Sequence, residues 1–174
     1  MKKLLNILKI AQFIFIVTAT LLHVVHAQES STEKKAAKLA AVKTMIDSKN
    51  YVFEAQSVTP TSGRTRQLTS YYTLKVLGDT LESALPYFGR AYVAPIDPTQ
   101  GGFNFTTTNF DYTVTNRKKG GWEIDIKLKD SNMDVREMVL TIFENGSTNL
   151  VVTSNSRQSI SYFGHLRQRT DKDK

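Results

Sequence analysis

In WEIDIKLKD, residues 122–130, Trp122, Ile124, Ile126 and Leu128 stand at every second position, with Glu123, Asp125, Lys127 and Lys129 between them. Side chains of an extended strand point alternately to opposite faces, so this segment reads as a strand buried on one side and wet on the other. The same period runs through YVFEAQSV, where Tyr51, Phe53 and Ala55 share a face, and through YYTLKVLG, with Tyr72, Leu74 and Val76. It recurs in FDYTVTNR, with Phe110, Tyr112 and Val114, which joins WEIDIKLKD through the glycine-containing link KKGG. REMVLTIFE and TNLVVTS flank Asn145-Gly146-Ser147, a strong hairpin signal in which both Asn145 and Gly146 are expected at positive φ. A last strand covers RQSISYFGHL. Parallel strands would need long helical crossovers, which this stretch lacks, so the sheet is expected to be antiparallel.

One segment has a different period. SSTEKKAAKLAAVKTMIDSKN opens with capping hydroxyls, places Glu33 in the first turn where the helix dipole favours negative charge, and continues in strong helix formers. A helix is predicted from about Thr32 to Ser48, with Ala36, Leu39, Val42 and Ile46 as an apolar stripe that packs on the sheet. The fold class is α+β: an N-terminal helix on a strongly curved antiparallel sheet of about seven or eight strands, arranged as an incomplete barrel or a sandwich.

The first 27 residues have lysines at 2, 3 and 9, an apolar stretch, and Val25-His26-Ala27 at their end, the pattern of a secretory signal peptide. Export would leave one globular domain at 28–167 and a charged tail at 168–174, RQRTDKDK from Arg167 on, that is expected to be disordered. The expected location is an exported one, periplasmic or secreted, with no transmembrane span once the signal is cleaved. Losing three lysines with the leader lowers the formal net charge from +7 to +4. The basic clusters GRTR, NRKKGG and RQRTDKDK fall in turns and the tail, so solvated loops, and no nucleic acid, account for them. The chain has no cysteine, hence no disulfide and no thiolate metal site.

LPYFGRAYVAPIDPTQGGF departs from the alternating pattern. Pro86, Pro95 and Pro98 each lack a backbone donor, so a short strand is expected to lead into a long irregular loop. Tyr87, Phe88 and Tyr92 either plug one end of the sheet or line a pocket with Arg90 at its edge. RQSISYFGHLR repeats Tyr-Phe-Gly, placing Tyr162 on one face of the last strand and Phe163 on the other, and the echo suggests that the two segments meet. Ligand-binding candidates are therefore Tyr87, Phe88, Arg90, Tyr92, Tyr162 and Phe163.

The charged helix with SKNYVFEAQSVTP, LPYFGRAY, KKGGWEI and SNSRQSISYFG resembles DUF4251, an exported bacterial family of unknown function, from about Thr32 to Gly164. That resemblance implies a single exported domain of helix plus antiparallel sheet, and it brings no activity, cofactor or catalytic residue.

Catalytic chemistry has little to build on. After export His165 is the one histidine, with no nucleophile motif to pair with it, and neither a metal site nor a cofactor is expected. Glu123, Asp125 and Asp111 are the remaining route to a hydrolase, but Lys127 and Lys129 continue their face as on a solvated sheet. The leading expectation is a non-enzymatic binding module for a small, partly apolar or glycan-like ligand. An envelope protein partner docking on a sheet edge or the helix is the alternative.

Overall fold

The computed structural model describes residues 31–92, 101–170 and 173. The expected leader, Pro95 and Pro98 lie outside the described residues. Residues 39–174 form one compact unit, and residues 31–38 belong to the unit before it.

A helix, α1, spans 31–47, as the sequence predicts. Its side chains up to residue 41 are exposed, while Val42, Met45 and Ile46 are buried in the core of the larger unit. Lys49 ends the helical segment at φ 48°, the left-handed conformation common just past a helix C-terminus.

Ten strands follow among the described residues: β1 (Asn50–Pro60), β2 (Arg66–Gln67), β3 (Thr73–Leu77), β4 (Thr80–Pro86), β5 (Gly102–Thr107), β6 (Phe110–Asn116), β7 (Trp122–Leu128), β8 (Val135–Ile142), β9 (Ser147–Ser154) and β10 (Ile160–Arg167). They form one antiparallel sheet in the order β5-β4-β3-β1-β10-β9-β8-β7-β6, with the two-residue β2 paired to β1 beside β3. The strand number corrects the expected seven or eight. Of the three strands outside the seven alternating segments, β2, β4 and β5, two were hidden by identifiable features. β2 is a fragment inside a polar, basic stretch, and Ser83 interrupts the apolar face of β4, where its hydroxyl donates to the Phe103 carbonyl at 2.7 Å.

β5 and β6 stand at opposite ends of the order, yet only Thr108 and Asn109 separate them. Three Cα steps reach at most about 11 Å, so the sheet must curl until its two edges approach at this corner. Because neighbours alternate in direction along the path, the two end strands run the same way. β5 and β6 therefore act as one bent strand, its first half on β4 and its second on β7. The result is an almost closed antiparallel barrel, not a sandwich.

The interior is filled. Tyr51, Phe53, Leu74, Leu81, Leu85, Ile124, Ile126, Met138, Leu140, Leu150 and Tyr162 are all below 2 % exposed. Along β6 the inward residues become progressively wetter, from half-buried Phe110 and Tyr112 to exposed Val114, as expected beside an open seam. Tyr112 is held there by a 3.1 Å hydroxyl contact with Tyr51 and by the Lys49 ammonium 4.8 Å over its ring.

A bulge at Gln56 shifts the β1–β10 register between Ala55 and Ser57. Gly164 faces Ala55 at that point, and a Cβ there would run into the Glu54 carbonyl. The third residue of the second Tyr-Phe-Gly is thus fixed by close approach of two backbones.

The Asn145-Gly146 hairpin forms with a different turn from the one expected. Among described non-glycine residues only Lys49 has positive φ, so Asn145 does not; Gly146 does, at 84°. Phe143 N–H donates to the Ser147 carbonyl at 2.9 Å and Gly146 N–H to the Phe143 carbonyl at 2.8 Å. This is a three-residue loop with glycine at its left-handed position, and Asn145 contributes by accepting from Ser147 N–H at 3.0 Å. Arg117 to Gly121 repeats the same pair of bonds in the KKGG hairpin.

Candidate functional site

The chain leaving β4 does not wander off the sheet. The Ala91–Arg157 bridge, the 2.7 Å bond from Tyr92 N–H to the Ser156 carbonyl and the 3.0 Å bond from Gln158 N–H to the Arg90 carbonyl lay it along the β9–β10 connection. The two Tyr-Phe-Gly segments meet here. The Tyr162 hydroxyl donates to the Pro86 carbonyl at 2.7 Å, and the Tyr87 hydroxyl contacts the Arg90 and Gln158 carbonyls at 2.7 and 3.0 Å. Burial pushes both phenols above their ordinary pKa, so both stay protonated donors at neutral pH.

A cation ties these segments together. The Arg157 guanidinium lies 5.3 Å from the Tyr87 ring centre and 5.4 Å from that of Phe103, two rings that meet edge-on at 5.3 Å. Its Nε approaches Asp134 Oδ2 at 3.1 Å, with only 12 % of the side chain exposed. The other oxygen of Asp134 accepts from Ser156 N–H and Oγ at 2.9 and 2.6 Å. Sequence reasoning missed Arg157, Asp134 and Phe103. Arg157 alone left a trace, standing directly before the QSISYFG echo.

The six sequence candidates therefore separate. Tyr87 and Tyr162 are braces, their hydroxyls used by backbone carbonyls. Phe88, Arg90 and Tyr92 lie on the segment they brace and remain exposed, Phe88 at 41 % and Tyr92 at 70 %. The Arg66 guanidinium, from β2, stacks 5.2 Å over Phe88. Phe163 does not join them. It lies 47 % exposed opposite Ser57 and Asn149, because alternation sends it to the face opposite Tyr162. What remains exposed on this braced segment are the Phe88 and Tyr92 rings and Arg90, with Arg66 over Phe88, groups suited to stacking and to charge-assisted hydrogen bonds.

The carboxylates considered for hydrolysis lie on the outside of the sheet. Asp111 pairs with Lys129 at 2.7 Å, Asp125 with Lys127 at 3.2 Å, and Glu123 is exposed. Such pairs are ordinary surface electrostatics.

A helix on a curled antiparallel sheet, with an aromatic segment braced along the β9–β10 connection, defines a β-rich structural class. The model of the DUF4251 family, a domain of unknown function, matches residues 33–166, and the chain belongs to that family. Its fold is similar to the crystal structure of a DUF4251 family protein from Bacteroides eggerthii, with a TM-score of 0.56 and 15 % identity over 77 % of this chain and 91 % of that one. No curated protein matches the chain. Among the described residues no helix is long and apolar enough to cross a membrane.

Proposed function

We propose that the protein is an exported, periplasmic or secreted, non-enzymatic binding module that holds a small, partly apolar or glycan-like molecule on the Phe88–Tyr92 surface. The observation that carries this reading is the contrast within one segment: the Tyr87 hydroxyl is shared between two backbone carbonyls, whereas Phe88, with Arg66 over its ring, and Tyr92 and Arg90 stay exposed. Holding rings in place before a ligand arrives lowers the ordering cost of binding. The filled interior argues against a ligand inside the barrel. Sugar rings and flat apolar groups stack on exposed aromatics, and the arginines add recognition of acidic or hydroxyl-rich edges.

Native mass spectrometry of protein isolated from its own envelope fraction tests this. The expected result is a reproducible adduct that Phe88→Ala and Tyr92→Ala each remove, corresponding to an affinity loss of roughly tenfold or about 1.4 kcal/mol. Folded variants that retain the adduct would overturn the reading. One observation favours a protein partner instead: β6 pairs only with β7, leaving its other edge without a strand among the described residues. Crosslinks from residues 110–116 to another envelope protein would support that alternative.

A further inference from the structure

The outer face of the sheet holds a second charged site. Val52 points outward from β1, yet it is 0 % exposed, and its cross-strand partners are Lys75 and Arg167. These two cations grip Asp173, a residue of the tail expected to be disordered. The Arg167 fork donates through Nη1 and Nη2 to the two carboxylate oxygens at 2.8 and 2.7 Å. The Tyr71 hydroxyl donates to Oδ1 at 2.7 Å, and Thr170 donates to Oδ2 from N–H and Oγ1 at 2.7 and 3.0 Å. Lys75 Nζ reaches the main-chain carbonyl of Asp173 at 3.2 Å. The carboxylate itself is 0 % exposed.

Two acidic residues position the cations independently of the tail. Glu54 accepts from Arg167 Nε at 3.0 Å, and Glu82 accepts from Lys75 at 2.8 Å. Arg167 Nε and Lys75 Nζ each have an acidic partner that does not depend on Asp173. A cleft of about 630 Å³ adjoins it, sharing Glu54 and Tyr71 and lined further by Gln56, Gln67, Thr69 and Ser70. Amides and hydroxyls of this kind suit the backbone of an extended peptide.

We infer that this is a recognition site for an aspartyl residue in an extended peptide segment of a partner protein, occupied in cis by Asp173. The cradle reads both parts of such a residue, the side chain through Arg167 and Tyr71 and the main chain through Lys75. Asp173 lies six positions from Arg167, and so short a tether gives an effective concentration on the order of millimolar. A partner segment binds only where it exceeds that internal competitor or where the tail is drawn away.

The probe is a labelled peptide, acetyl-Arg-Thr-Asp-Lys-Asp-Lys-amide, titrated into the full chain and its Asp173→Asn variant. The variant is expected to bind at least tenfold more tightly than the wild type. Replacing the peptide's second aspartate by asparagine is expected to abolish that gain, and adding Tyr71→Phe to the variant to weaken binding several-fold. In the wild type, millimolar peptide should displace the tail and shift the Thr170 amide resonance, which reports the bond to Asp173 without any mutation. Equal binding by wild type and variant, equal binding of both peptides, or an unmoved Thr170 amide would each reduce Asp173 to a structural clip and overturn the inference.

Discussion

Gly164 and Tyr112 show how single residues set the limits of this fold. Gly164 sits where bulged β1 crosses β10, and a methyl group has no room beside the Glu54 carbonyl. Gly164→Ala is expected to lower unfolding free energy by roughly 1–3 kcal/mol in denaturant titration, the usual cost of overpacking, although alanine suits a strand no worse than glycine. Tyr112 has its pKa pushed up to about 12, chiefly by burial. Burial also raises Tyr51, its hydroxyl partner. An unfolded tyrosine ionises near pH 10, so these phenols bind protons more tightly in the folded state. Their contribution is complete below about pH 10 and disappears as pH rises toward and beyond about 12. Denaturant midpoints should therefore fall across that window, and Tyr112→Phe should flatten the fall; an unchanged slope would show that the Tyr51–Tyr112 pair is not responsible.

At the scale of elements, the hairpins offer the sharpest check. Gly146 carries the positive φ alone, so Gly146→Ala is expected to cost about 1 kcal/mol, while Asn145→Gly brings no stabilisation because Asn145 does not need a left-handed conformation. Equal sensitivity at the two positions would point back to the two-residue turn that Asn-Gly suggests. β1, β3, β6, β7, β8, β9 and β10 were legible because each alternates apolar and polar residues against one buried face, and α1 because its period differs. The turn was not legible, since Asn-Gly serves two loop lengths. Nor was the candidate site fully legible: alternation placed Tyr162 inward and Phe163 outward, but nothing local links Arg157 to Phe103 and Tyr87. That contact depends on three segments distant in sequence.

For the whole molecule, the seam between β5 and β6 is the place where the barrel is incomplete. Amides of β6 that point away from β7 are expected to exchange with solvent much faster than those of β1 and β10, which have strands on both sides. Uniform protection across β6 would mean that the seam is covered. The proposed ligand surface and the Asp173 cradle share no side chain, although β2 sends Arg66 to the first and Gln67 to the cleft beside the second; Phe88→Ala should leave the Thr170 amide unchanged, and Asp173→Asn should leave binding at Phe88 unchanged. Coupling between them would show that the barrel transmits strain from one site to the other.

The first and last strands, β1 and β10, are neighbours in the middle of the sheet, with Val52 opposite Arg167. Closing so long a loop is entropically costly and slow. While the chain emerges from the ribosome, β1 has no β10 to pair with, and the central seam of the core cannot form until residues 160–167 have emerged. A topology that postpones its own completion keeps the nascent polypeptide open and threadable until that strand arrives.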